Sequence, residues 1–145
     1  MTASDKLLAV LSQLPSAIAW NSTSETVYRV AMHGLTDDDI KGGYQRILTR
    51  SKFRPTPSEV LLAVAVHKYG DAQPYTVIDQ IAEGLRCGHK ESQLHPTVIL
   101  VLRKTGGYKA WRVEPPIKGQ QLQEAINEVM IVRLTEHMNE QRNKE

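Results

Sequence analysis

The chain predicts an all-α fold, a compact bundle of about six or seven short helices with a longer helix at the C-terminus. Three observations carry that reading. Capping-box patterns stand just ahead of apolar stretches, at Ser22–Glu25, Thr36–Asp39 and Thr56–Glu59. The apolar residues behind them recur at helical spacing rather than in alternation. Glycine and proline fall mostly between those stretches, where they punctuate helices.

Asp5–Leu14 is a short amphipathic segment stopped by Pro15. Ser22-Thr23-Ser24-Glu25 opens a helix through His33, with Gly34 as its C-terminal stop. Thr36 opens the next, and Asp37, Asp38 and Asp39 suit the positive end of its dipole. This helix runs to about Arg50. Gly42-Gly43 inside it costs about 1 kcal/mol per glycine relative to alanine, so the pair points to close packing or a kink.

Ser51 to Glu59 is the most informative junction. Thr56 caps, Pro57 takes the first helical position and Glu59 closes the box. Pro55 and Pro57 stiffen the approach, so Phe53 and Arg54 are presented at a defined angle, with Phe53 read as core. The run from Val60 to Val66 would suit a buried strand by composition, but its cap and its length to Gly70 favour a helix.

Pro74 to about Cys87 carries Val77, Ile78, Ile81 and Leu85 at helical spacing. Val98–Leu102 is read as helix because Pro96 suits a first helical position and Gly106-Gly107 follows; its β-branched residues leave strand as the alternative. Tyr108–Arg112 is a short helical turn. Pro115-Pro116 marks a break, which suggests a helical domain over 1–113 and a linker plus amphipathic helix over 114–145. That last helix, Gly119 to about Gln141, has Leu122, Ile126, Val129, Met130, Leu134 and Met138 on its apolar side. It can pack on the domain, engage a partner's groove or support a homo-oligomer.

The 145 residues, 41% hydrophobic and 23% charged, suit one globular domain. A single cysteine, Cys87, excludes an internal disulfide and fits a reducing compartment. No apolar run is long enough for a membrane span, and Leu7–Leu14 is too short for a signal peptide, so a cytoplasmic protein without membrane contact is expected.

Little in the sequence points to catalysis, and neither enzyme activity nor a cofactor is expected. Gly84-Leu85-Arg86-Cys87-Gly88-His89-Lys90 lacks the glycine spacing and the Ser/Thr of a phosphate loop. Cys87, His89 and His95 would need a fourth ligand to hold a structural metal, so none is expected. No nucleophile elbow or zinc-protease motif is present.

Binding signals are stronger. Lys41, Arg46, Arg50, Lys52 and Arg54 fall in a stretch, Ile40 to Ser58, that holds no acidic residue. They form either a face for a polyanion or partner, or a solvated helix face. A second set, Arg103, Lys104, Lys109 and Arg112, carries Tyr108 and Trp111 between its bases. Such aromatics either stack on single-stranded bases or anchor the turn to the core.

Two landmarks then coincide. Gly34-Leu35-Thr36 precedes an amphipathic helix and the run Arg50-Ser51-Lys52-Phe53-Arg54-Pro55-Thr56-Pro57-Ser58-Glu59. His95-Pro96 precedes an apolar helix and Gly106-Gly107-Tyr108-Lys109-Ala110-Trp111. Together, over about residues 34–112, they resemble phage replication proteins of the helicase-loader type, including lambda-like replication protein P and small loader-inhibitor proteins. Arg54 and Tyr108 depart from the apolar residue and the tryptophan commoner there, and residues 1–20 show no match. The resemblance implies a non-enzymatic adaptor that binds a hexameric replicative helicase, loads or inhibits it without ATPase activity, and meets an origin-binding protein. The alternatives are a small helical DNA-binding or regulatory protein using the basic face, or a structural adaptor in a phage or host assembly.

Overall fold

The computed structural model describes residues 2–144, and all of its regular structure is helical. In order these are α1 (Ala3–Gln13), α2 (Ser22–Met32), α3 (Asp37–Arg50), α4 (Pro57–Tyr69), α5 (Pro74–Cys87), a single 3-10 turn (Glu91–Gln93), α6 (Pro96–Lys104), α7 (Gly107–Trp111) and α8 (Gly119–Asn143). The expected all-α fold with a longer C-terminal helix is present, and Val98–Leu102 is helix.

The capping chemistry is largely as the sequence implies. Thr36 and Thr56 each accept from the backbone N–H three residues on, while Asp39 and Glu59 accept from the cap N–H in return. One cap differs. Asn21, not Ser22, starts α2, with Ser24 completing the box. Asn21 holds the extended backbone a cap requires, and its side-chain oxygen reaches Ser24 N at 3.0 Å.

The chain divides into two compact units, Met1–Gly70 with Ile131–Glu145, and Asp71–Met130. Pro115-Pro116 interrupts helices inside the second unit, and α8 contributes its first half to one unit and its second half to the other.

In the first unit, Leu7, Leu8 and Leu11 of α1 join Tyr28 and Met32 of α2, Ile40 and Ile47 of α3 and Val60 and Ala63 of α4 in one apolar core. The most intimate pairing, α3 on α4, depends on the two glycines. A Cβ at Gly42 would stand 1.9 Å from His67 Cδ2, and one at Gly43 would stand 2.4 Å from Val64 Cγ2. Of the two roles expected for the pair, close packing is the one it plays.

In the second unit, Val77 and Ile81 of α5, Val98, Val101 and Leu102 of α6, and Leu122, Ile126 and Met130 of α8 are buried. Gly84 lets the Tyr108 ring approach α5; a Cβ there would stand 2.4 Å from the phenol oxygen. Among the described residues, no helix is long and apolar enough to cross a membrane.

Candidate functional site

The structure separates the five residues of the first basic set. At about 100° per residue, Arg46 and Arg50 lie about 40° apart on α3, while Lys41 lies about 180° from Arg50. Arg46 and Arg50 line a shallow cleft of about 260 Å3 with Gly42, Gln45, Thr49 and His67. Lys41 is exposed elsewhere on α3, and Lys52 is exposed in the loop beyond its end.

Arg54 is engaged within the fold. Its Nε donates to the Leu11 carbonyl at 2.8 Å and its Nη1 to the Ile18 carbonyl at 2.7 Å. Its guanidinium also lies 5.1 Å from the centre of the Trp20 ring, which stacks on Tyr28. The arginine at this position thus has a structural use. Arg54 ties the 14–20 segment, which has no helix of its own, to the start of α4.

Phe53 overturns an expectation in the other direction. It is 70% exposed rather than core, and Ile18, whose carbonyl Arg54 holds, is 71% exposed. Neither sits on a loose loop. The Arg54 N–H donates to the Pro15 carbonyl at 2.8 Å, and the Tyr28 hydroxyl donates to the Pro55 carbonyl. Pro55 itself is buried. Two large apolar side chains are therefore displayed in water on segments whose adjoining backbone is held by these bonds. Periodicity could not mark Ile18, because it lies between helices.

The second basic set loses its aromatics to the fold. Trp111 is buried, and its Nε1 donates to Thr105 Oγ1 at 2.7 Å. Tyr108 is half-buried with its hydroxyl enclosed against Gly84, and its backbone N–H donates to Glu91 Oε1 at 3.1 Å. Burial raises the Tyr108 phenol above its ordinary value, and the Glu91 carboxylate adds to the rise. Of the two roles expected for these aromatics, anchoring the turn to the core is the one Trp111 plays. Arg103, Lys109 and Arg112 are exposed, and Lys104 pairs with Glu128 at 2.6 Å.

The expected partner face of α8 is also occupied. Leu122, Ile126, Val129, Met130, Leu134 and Met138 are all at most 6% exposed. The apolar side of α8 is core within the folded chain, so those six residues offer no groove-binding surface.

The acidic cluster at the start of α3 holds a polar centre. Asp39 is 7% exposed. Its Oδ1 accepts from Lys68 Nζ at 3.0 Å, and its Oδ2 lies 2.9 Å from His137 Nε2 and accepts from the Thr36 N–H at 3.1 Å. Burial pushes the Asp39 carboxyl upward, but hydrogen bonds from Thr36, His137 and Lys68 outweigh it and bring it down to about 2. Nearby, the Arg133 guanidinium lies 3.9 Å from the centre of the Tyr69 ring, and Arg142 donates to the His33 carbonyl. These contacts fix the second half of α8 on the 33–39 segment and on α4, with Gly34 (φ +101°) allowing the close approach to the Met138 carbonyl.

A larger polar cleft of about 470 Å3 opens beside Gly34, lined by Ser4, Arg29, His33, Thr36 and Lys144 among others. Arg29 in its lining pairs with Asp5 and Glu25, both at 2.9 Å. Cys87 is exposed. Among the described residues, no three His, Cys, Asp or Glu side chains gather as a metal site would need.

No protein-family model, curated protein or solved structure matches this chain.

Proposed function

We propose that this protein is a non-enzymatic adaptor of phage or prophage DNA replication, which binds a hexameric replicative helicase and loads or restrains it without hydrolysing ATP. The resemblance over residues 34–112 supports the class, and one structural observation supports the mode of action. The chain's single phenylalanine stands 70% exposed on a backbone pinned by hydrogen bonds, beside an equally exposed isoleucine. A lone exposed apolar residue needs no explanation. Two of them, carried on neighbouring loops that a half-buried arginine ties together, suit a preorganised protein contact, because little entropy is lost when rigid groups are covered.

In this reading Phe53 and Ile18 are the anchors that enter a pocket on the helicase, and Lys52, next to Phe53 in the chain, adds a rim charge that speeds encounter. The contact moves from α8, whose apolar side is core, to the junction between α3 and α4. Size-exclusion chromatography with the cognate replicative helicase, run with and without ATP, tests the class directly. Co-elution at micromolar concentrations is expected; separate elution under both conditions would remove the proposal.

A further inference from the structure

The cleft on α3 and α4 gathers hydrogen-bond donors, and no carboxylate is among its lining residues. Gly42 makes it possible, because without a side chain it allows the His67 ring to lie against α3. The Thr49 hydroxyl proton is committed to the Gln45 and Arg46 carbonyls, at 3.1 and 3.2 Å. The donors that remain are the Gln45 amide, the Arg50 guanidinium and the His67 ring. Arg46 is half-buried and already engaged within the protein, so exposed Arg50, His67 and Gln45 present the outer donors.

We propose that this cleft binds the phosphodiester backbone of a nucleic acid strand. Guanidinium matches phosphate geometry with two parallel hydrogen bonds, and the neighbouring amide and imidazole add single donors. At about 260 Å3 the cleft has room for a phosphate group. Positive charge continues beyond it through Lys52, and Ile40 to Ser58 holds no acid, which matches a ligand of repeating charge better than an isolated carboxylate. The contact is to backbone, so it carries no base preference. It does not depend on the helicase proposal and stands or falls separately.

Fluorescence anisotropy of the full chain with a labelled oligothymidylate of about 20 nucleotides tests it. Saturable binding at about 50 mM salt is expected, weakening several-fold by about 200 mM, with a slope of about 0.7 in log affinity per log salt for each phosphate contacted. Arg50→Glu should weaken binding at least tenfold at low salt and flatten the slope by about 0.7. Gln45→Glu should act in the same direction, and Arg103→Glu in the other unit should have no effect. Circular dichroism keeps failure to fold apart from failure to bind, and both cleft positions are exposed. Absence of saturable binding at low salt would overturn the proposal, as would unchanged affinity in both cleft variants or a loss confined to Arg103→Glu. Displacement of the oligonucleotide by polyglutamate as readily as by inorganic polyphosphate would also overturn it, since the cleft would then be an acidic-peptide site.

Discussion

The Arg54 Nη1 donates to the Ile18 carbonyl at 2.7 Å, across 36 residues of sequence. With the bond from Nε to the Leu11 carbonyl, it makes one side chain the tie between the 14–20 segment and the loop that carries Phe53. The exposed pair Phe53 and Ile18 owes its fixed backbone to a residue that is not itself a contact.

Arg54→Ala should therefore destabilise the chain by about 2 kcal/mol, because two carbonyls lose a charged donor and the Trp20 stack is lost. Arg54→Lys should not restore it, since one ammonium cannot reproduce a planar fork bonded in two directions. Urea unfolding of the three proteins measures this. Helicase binding should weaken in both variants, even at temperatures where they remain folded.

The glycine pair predicts an asymmetry. At Gly43 an added Cβ meets Val64 Cγ2 at 2.4 Å and the Val64 backbone at 3.2 Å, neither of which can swing aside. Gly43→Ala should cost about 2 kcal/mol. At Gly42 the obstacle is the ring of an exposed histidine, which can rotate away, and alanine regains about 1 kcal/mol of helix propensity. Gly42→Ala should thus be near neutral, and thermal melts of the two variants compare them directly.

Asp39 makes stability depend on acidity. Its folded pKa, about 2, lies below the ordinary carboxylate value of 3.8. The stabilisation is thus complete above about pH 4 and is lost as pH falls towards 2. It should amount to about 2 kcal/mol. Asp5 is also held down to about 2, by hydrogen bonds from Arg29 first and Thr2 second, but it is at the surface and screened by water. Asp39→Asn should therefore be less stable at neutral pH and lose most of the acid dependence. Denaturant titrations of both proteins from pH 5 to about pH 2 would show the two curves converging.

Most of the helices were legible because their start signals are local. Thr36, Asp39, Thr56 and Glu59 act on backbone within three residues, so spacing alone reveals them. At α2 two overlapping patterns compete, and Asn21 wins through a backbone conformation that spacing does not encode. The bonds of Arg54 were not legible because its partners are the carbonyls of Leu11 and Ile18, and any residue type supplies a carbonyl. Phe53 was misread because aromatic residues are usually buried, a tendency that says nothing of one displayed on a pinned loop. His67 joined the cleft through the missing side chain of Gly42, a pairing between two helices that a single sequence does not show. The division into two units was hidden because one uninterrupted helix, α8, serves both.

The central claim, that Phe53 anchors a protein contact, is tested most directly by calorimetric titration of the cognate replicative helicase with the wild-type chain and with Phe53→Ala. Phe53 is 70% exposed, so its removal should leave the melting temperature unchanged, a surface substitution costing about 0.5 kcal/mol or less. Helicase affinity should fall at least tenfold, as expected for an interface anchor. A Phe53→Ala chain that binds the helicase as tightly as the wild type would contradict the account.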